Sequence, residues 1–210
     1  MAQDVLERLR AKGAEKDKVL WRATDGTWHP GVVRRPMSFQ QYLELPDKPK
    51  AEWVDGMALI MMAPAAMPHS RISLRLAMLL NEAFPDLEVL QETGYQFGSS
   101  YRIPDIVMFG RDAQIDEKNI FLLSPPVLIV EILSPGTWRE DFGPKSDGYL
   151  YSGVEHYWIV NYEHPTIIAR TNVGDDWRVD AEINEINPVA RISLGAYGTV
   201  VLDLNKLFRK

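Results

Sequence analysis

Two acidic residues lie in segments where their neighbours are apolar. Glu131 belongs to the run VLIVEIL at 127–133, which has the composition of a strand buried on both faces. Asp105 precedes the run IVMF, and in a strand it would share one face with Val107 and Phe109. An ionised carboxylate in such surroundings needs a compensating cation, which can be a metal ion or the side chain of Lys or Arg.

The two carboxylates allow two interpretations. Taken singly, each is explained by a structural ion pair, and Asp105 could simply begin its strand. Taken together, they are typical of a site for a hard divalent cation, which proteins hold with one or two carboxylates, water and a substrate phosphate. Such a site polarises a phosphoryl oxygen and can supply a nucleophilic water. The pair therefore favours phosphoryl-transfer chemistry.

The surrounding sequence predicts the elements that would carry this pair. Ser38 and Gln41 have the spacing of a capping box, which predicts a short helix. Asp55-Gly56 between two apolar runs predicts a hairpin. The other predicted elements are a helix at 68–84, short strands at 87–91, 94–98 and 105–109, the buried strand at 127–133, a helix at 139–151, and a strand pair around 164–165.

Several short motifs, in order and at matching spacing, resemble those of the Uma2 family (the DUF820 group), endonucleases of the PD-(D/E)xK superfamily that are common in bacteria. The resemblance covers about residues 37–170, roughly two-thirds of the chain. Its motifs are EWVDG at 52–56, MMAP followed by His69, PDIV at 104–107, VEILSP at 130–135, the spaced residues Asp141, Lys145 and Tyr149, Gly153-Val154, and HYWIV at 156–160.

This resemblance implies an α/β, restriction-endonuclease-like fold, in which helices flank a mixed central β-sheet. It also implies that Asp105 and Glu131 are catalytic residues that bind Mg²⁺ or Mn²⁺. The superfamily has a lysine two residues after the glutamate, where this chain has Leu133. The natural substitute is Lys145 on the next predicted helix, which shares a helical face with Asp141 four residues earlier.

Three residues are candidates for supporting roles. Glu52 matches an acidic family position and could complete the metal shell, or it could pair with Lys50 or an arginine. His69 could contact a phosphate or a metal-bound water, or it could be a solvent-facing or capping histidine. Asp141 is expected to orient Lys145 or to mark a helix start.

Net charge limits how the protein could bind DNA. The charge of −6 and the pI of about 5.3 argue against a high-affinity, non-specific binder that relies mainly on phosphate neutralisation. A local basic patch or a metal ion would have to provide the attraction. The candidate phosphate contacts are Arg71, Arg75 and Arg139, although surface arginines often serve only solubility.

Composition also bounds the class of protein. The chain of 210 residues has no cysteine, which excludes disulfides, thiolate metal sites and a cysteine nucleophile. The polar N-terminus lacks the apolar core of a signal peptide, and the longest apolar runs are too short to cross a bilayer. These features predict a cytoplasmic protein without a membrane segment. Residues 1–35 are predicted to be an N-terminal extension, and residues 36–210 the nuclease-like domain.

Three functions follow from these residues. The first is a Mg²⁺-dependent endonuclease that hydrolyses DNA phosphodiester bonds, expected to act as a homodimer because two strands need two sites. The second is a catalytically inactive binding or assembly module of the same fold, which predicts that Lys145 points away from Asp105 and Glu131. The third is a metal-free hydrolase with two carboxylates, as in glycosidases, and the buried-strand setting argues against it.

Overall fold

A computed structural model of the protein describes residues 20–22, 28–30, 32–46, 49–61, 65–134 and 138–209. Its helices are α1 (Phe39–Leu43), α2 (Met67–Ala83), α3 (Trp138–Phe142), α4 (Pro144–Ser152) and α5 (Leu204–Phe208). Its strands are β1 (Leu20–Arg22), β2 (Trp28–Pro30), β3 (Val32–Pro36), β4 (Ala51–Val54), β5 (Met57–Met61), β6 (Leu87–Gln91), β7 (Gly94–Phe97), β8 (Ser100–Arg102), β9 (Ile106–Gly110), β10 (Ile115–Asp116), β11 (Phe121–Leu122), β12 (Leu128–Ile132), β13 (His156–Asn161), β14 (Thr166–Asn172), β15 (Trp177–Ile183), β16 (Val189–Ser193) and β17 (Thr199–Asp203).

Two larger sheets organise the described residues. A six-stranded sheet has the order β15-β14-β13-β12-β9-β6, and it is mixed because β12 runs parallel to β13 but antiparallel to β9. A seven-stranded sheet has the order β10-β11-β7-β8-β4-β5-β3. The predicted α/β fold with a mixed sheet and flanking helices is confirmed, and the second sheet is an addition that the sequence pattern did not indicate.

The strand that carries Glu131 is central in the six-stranded sheet. On one face of β12, Leu128, Val130 and Ile132 belong to an apolar cluster that includes Leu76 and Leu80 of α2. This arrangement follows from the alternation of side chains along a strand and from the helical spacing of the leucines. The apolar stripe of α2 therefore holds β12 in place from one side.

An aromatic cluster supports the seven-stranded sheet. Phe39 of α1 stacks on Tyr101 of β8 with 3.8 Å between ring centroids, and Tyr101 contacts Phe121 of β11 edge-on at 5.0 Å. The capping box that begins α1 is confirmed, because Ser38 Oγ accepts from Gln41 N and Gln41 Oε1 accepts from Ser38 N. This cap fixes the position of Phe39 over the sheet.

The predicted hairpin turn between β4 and β5 is confirmed. Asp55 and Gly56 form the predicted hairpin turn, with φ angles of 49° and 80°.

The predicted helix at 139–151 is instead two helices that meet at Gly143. The prediction was wrong there because Pro144 disfavours helical backbone at the residue before it and lacks an N–H to donate.

The predicted boundary at residue 35 falls inside a strand. β3 spans it and pairs antiparallel with β5 over Val32 to Pro36. Much of the predicted extension lies outside the described residues. In the part of the chain that the structure describes, every helix is too short or too polar to cross a membrane.

Candidate active site

Backbone pairing brings Asp105 and Glu131 together. The antiparallel register of β9 and β12 pairs Val130 with Ile106, so the next pair along would be Glu131 and Asp105. The backbone N–H of Ile132 donates a 2.8 Å hydrogen bond to Asp105 Oδ2. Both acidic residues are buried. The adjacency that the sequence predicted is therefore produced by strand register.

Lys145 lies among three carboxylates. Its Nζ is 3.0 Å from Glu131 Oε1, 3.2 Å from Glu52 Oε1 and 3.4 Å from Asp141 Oδ1. Burial alone would lower the pKa of Lys145, but the carboxylates, with Glu131 foremost, raise it well above its ordinary value. The ammonium group is therefore charged at neutral pH. Lys145 thus reaches Glu131 and also makes the local contact with Asp141.

Glu52 is a fully buried member of the site. Its Oε2 accepts a 2.9 Å hydrogen bond from Arg102 Nη1, and its Oε1 accepts one of 3.0 Å from the backbone N–H of Ile103. Burial raises the pKa of Glu52, but Lys145 and Arg102 outweigh it and lower the value to about 2. Its close partners are Arg102 and Lys145. Of the two predicted ion pairs, with Lys50 or with an arginine, the structure forms the one with an arginine.

A second ion pair supports the first. Arg102 Nη1 lies 3.6 Å from Glu140 Oε2, and Arg34 of β3 donates to the other oxygen of Glu140. These contacts fasten α3 to both β8 and β3. The sequence analysis did not identify Arg34, Arg102 or Glu140. The contact between Arg102 and Glu52 spans 50 positions of the chain, and such pairs leave no local spacing pattern.

Two basic side chains lie beside Asp105. His69 Nε2 is 3.2 Å from Asp105 Oδ2, and Lys50 Nζ is 3.6 Å from Oδ1. Burial raises the pKa of Asp105, but Lys50 and His69 outweigh it, so the pKa lies below its ordinary value. Burial lowers the pKa of His69, but the hydrogen bond to Asp105 and its negative charge outweigh this effect, so that the net change is upward. His69 therefore belongs to the site, and Lys50 was not a sequence candidate for it.

Glu131 and Asp141 are less well compensated. Burial raises the pKa of both carboxyl groups, and although Lys145 opposes this, the net pKa of each lies above its ordinary value. The hydroxyl of Tyr149 also donates a 2.8 Å hydrogen bond to Glu131 Oε1. Tyr149 was one of the spaced motif residues of the family resemblance, but the sequence analysis did not name it as a site residue.

The predicted phosphate-binding arginines have separate surroundings. Arg75 Nη1 donates to the carbonyl oxygens of Leu207 and Arg209, at 2.8 and 2.6 Å, which ties α2 to the C-terminal helix. The guanidinium of Arg139 lies 4.6 Å from the ring centroid of Trp138. Arg71 is exposed. Their contact with DNA stays a prediction.

The fold is that of a nuclease-like α/β protein. The chain is similar to a crystal structure described as "a putative nuclease belonging to DUF820 from Anabaena variabilis ATCC 29413", with a TM-score of 0.67 and 21% identity over 82% of this chain and 98% of that chain. The Uma2 family model, "Putative restriction endonuclease", matches residues 39–196, and the chain belongs to this family. The match extends beyond the predicted limit near residue 170. A comparison with curated proteins gave no match.

Proposed function

We propose that this protein is a divalent-metal-dependent endonuclease that hydrolyses DNA phosphodiester bonds at Asp105, Glu131 and Lys145. The observation that carries the proposal is the 3.0 Å contact between Lys145 Nζ and Glu131 Oε1. It supports the view that a lysine from α4 takes the place of the superfamily lysine that Leu133 replaces. The rival binding module required Lys145 to point away from Glu131, and this contact disfavours it.

The donor set fits a hard divalent cation. Asp105 and Glu131 would hold the ion with carboxylate oxygens, the ligands that Mg²⁺ and Mn²⁺ prefer. The raised pKa values of Glu131 and Asp141 indicate that burial disfavours their charged forms, which a bound cation would stabilise. Within the described residues no three His, Asp or Glu side chains form a ready ligand set, so water and a substrate phosphate would complete the shell. When bound, the metal would polarise the phosphoryl oxygen and acidify a water.

Lys145 would act through its charge. A lysine with a strongly raised pKa keeps its proton at neutral pH and is therefore unsuited to be a general base. Its Nζ can instead donate hydrogen bonds to the negative charge that develops on the phosphate. Glu52 and Asp141 would orient that ammonium group. His69 would hold Asp105 in place and, when protonated, offer a second donor to the phosphate.

A cleavage assay with matched variants tests this proposal. Purified protein is incubated with single-stranded and duplex DNA in Mg²⁺ or Mn²⁺, and with EDTA. We expect Asp105→Asn and Glu131→Gln to lower the rate by at least about 100-fold, since even indirect partners of a metal are worth about 10- to 100-fold. The exposed variants Asp175→Asn and Glu185→Gln are the controls. Cleavage that survives in EDTA or in both site variants would refute the metal mechanism.

Calorimetry with Mn²⁺ gives an independent measurement. We expect the wild type to bind the ion and Asp105→Asn to lose this binding. The titration is repeated with a short DNA present, because the substrate phosphate can be a required ligand. An absence of metal binding and of cleavage on every DNA would make the binding module the better proposal.

Cytoplasmic location and action as a homodimer on duplex DNA belong to the same proposal, and sedimentation of the protein with and without DNA tests the dimer.

A further inference from the structure

A cleft opens beside Lys50, the lysine that contacts Asp105, and it has a different chemical character from the site itself. It has a volume of about 270 Å³ and is lined mainly by apolar and aromatic side chains, among them Tyr42, Leu43, Leu45, Ile103 and Phe121. Sites for drug-sized ligands have volumes of about 300–1,000 Å³. The cleft is therefore suited in size to one small group rather than to a whole cofactor.

Lys50 joins the cleft to the carboxylate site. It lines the cleft, and its Nζ lies 3.6 Å from Asp105 Oδ1 and 3.9 Å from Glu92 Oε1. Glu92 lies on the same cleft wall. A molecule with a phosphate at Asp105 could therefore place its adjoining group in the cleft, with Lys50 between the two.

The walls of the cleft are held rigidly. Tyr42 and Phe121 belong to the aromatic cluster around Phe39 and Tyr101, and the Tyr42 hydroxyl is fixed by a hydrogen bond to the Ala51 carbonyl. A pre-formed wall of apolar and aromatic side chains favours packing of a flat ring, because no side chain has to be ordered on binding.

One residue with left-handed backbone lines this cleft, and another precedes a lining residue. Of the non-glycine residues with positive φ that the structure describes, Asp55 belongs to a hairpin turn. The others are Glu92, with φ of 52°, which lines the cleft, and Ile120, with φ of 61°, which precedes Phe121. Left-handed backbone is unfavourable for a β-branched residue and is characteristic of ligand-binding segments.

We infer that the cleft binds the nucleobase next to the scissile phosphate, and that cleavage is fastest where this base is unpaired. This inference rests on the proposed nuclease function. Bases inside a duplex are stacked and cannot enter a side cleft unless they are extruded. A protein with a net charge of −6 gains little from phosphate contacts, so base stacking would provide the missing affinity. The preferred substrate is then single-stranded DNA or an unpaired position in a duplex.

Equilibrium binding tests the cleft without requiring turnover. The probes are deoxyadenosine 5′-monophosphate and 2-deoxyribose 5-phosphate, titrated in Mg²⁺ and followed by NMR. We expect the nucleotide to bind about 10-fold more tightly, the value of one base stack. Leu43→Trp and Leu45→Trp, which fill the cleft, should remove this difference, and Leu74→Trp on the outer face of α2 should keep it. Equal affinities for the two probes in the wild type would overturn the inference.

Cleavage rates then separate this inference from the proposed function. We expect about 10-fold faster cleavage at an unpaired position than in a fully paired duplex of the same sequence. Equal rates on both substrates would overturn the cleft inference and leave the nuclease intact. A preference for the nucleotide probe without cleavage of any DNA would refute the nuclease and retain the nucleobase cleft. Thermal unfolding of each Trp variant shows whether it is folded, and Leu43, at 37% exposure, is the safer position.

Discussion

The two faces of β12 hold their neighbours by different means. On one face Leu128, Val130 and Ile132 belong to an apolar cluster and pack against α2 and the other apolar side chains of this cluster. On the other face Ile129 packs in a second apolar cluster, and Glu131 next to it meets an ammonium group and a tyrosine hydroxyl. The same strand thus contributes stability on one side and charged chemistry on the other.

The difference lies in how each face tolerates change. Apolar packing is non-directional, and its loss scales with the volume that is removed. A buried charge instead depends on particular partners, and removing one leaves the others uncompensated. The charged face should therefore respond to pH and to isosteric substitutions that leave the apolar face unchanged.

The largest effect should come from Lys145→Met. The change removes the cation shared by Glu131, Glu52 and Asp141 and leaves buried carboxylates unpaired. We expect a loss of about 3–5 kcal/mol in the free energy of unfolding at neutral pH, measured by urea denaturation. The control Lys206→Met, an exposed lysine, should change stability by less than about 0.5 kcal/mol. A similar small change in both variants would remove the distinction between the faces.

A cavity on the apolar face should cost slightly less and be independent of pH. Leu128→Ala removes a fully buried side chain of β12, and we expect a loss of about 3 kcal/mol. Leu74→Ala, on the solvent side of α2, is the matched control and should be nearly neutral. Denaturation at pH 5 and pH 8 should give the same difference from wild type. A strong pH dependence would mean that the two faces are coupled.

The acid response of the charged face should be visible through Glu52. Its pKa is about 2 in the folded protein against an ordinary value of 4.5, so its contribution is complete above pH 4.5 and disappears as the pH falls toward 2. We expect a loss of about 2–3 kcal/mol for Glu52→Gln at neutral pH, with the variant converging on wild type at low pH. Glu185→Gln is the exposed control, and parallel curves for Glu52→Gln and wild type would contradict this account.

The smallest effect should come from a single oxygen atom. Tyr149→Phe removes the hydroxyl that donates to Glu131 Oε1 and preserves the ring packing. We expect a loss of about 1–2 kcal/mol at neutral pH, and a further increase in the pKa of Glu131 because its charged form loses a donor. NMR titration of the labelled carboxyl groups would measure that pKa. The exposed Tyr197→Phe is the control, and an unchanged pKa of Glu131 would show that the hydroxyl does not stabilise the charge.

Local pattern was sufficient to predict much of the fold. The capping box at Ser38, the hairpin at Asp55-Gly56 and the buried strand around Glu131 are each determined by residues a few positions apart. Such signals depend on backbone preferences that act within one turn of chain. The helix break at Gly143 could also have been predicted from the sequence, because the proline that follows it disfavours helical backbone.

The sequence by itself determined that Asp105 and Glu131 need compensating charge, and that Lys145 shares a helical face with Asp141. Tertiary structure decided which cations provide that charge. Strand register sets Asp105 beside Glu131, and sheet packing brings Glu52 of the second sheet to Lys145, with Arg102 paired to its other oxygen. The reason is physical: a carboxylate's need for a cation is local chemistry, whereas the partner's identity depends on contacts between segments far apart in the chain, and no spacing in the sequence encodes them.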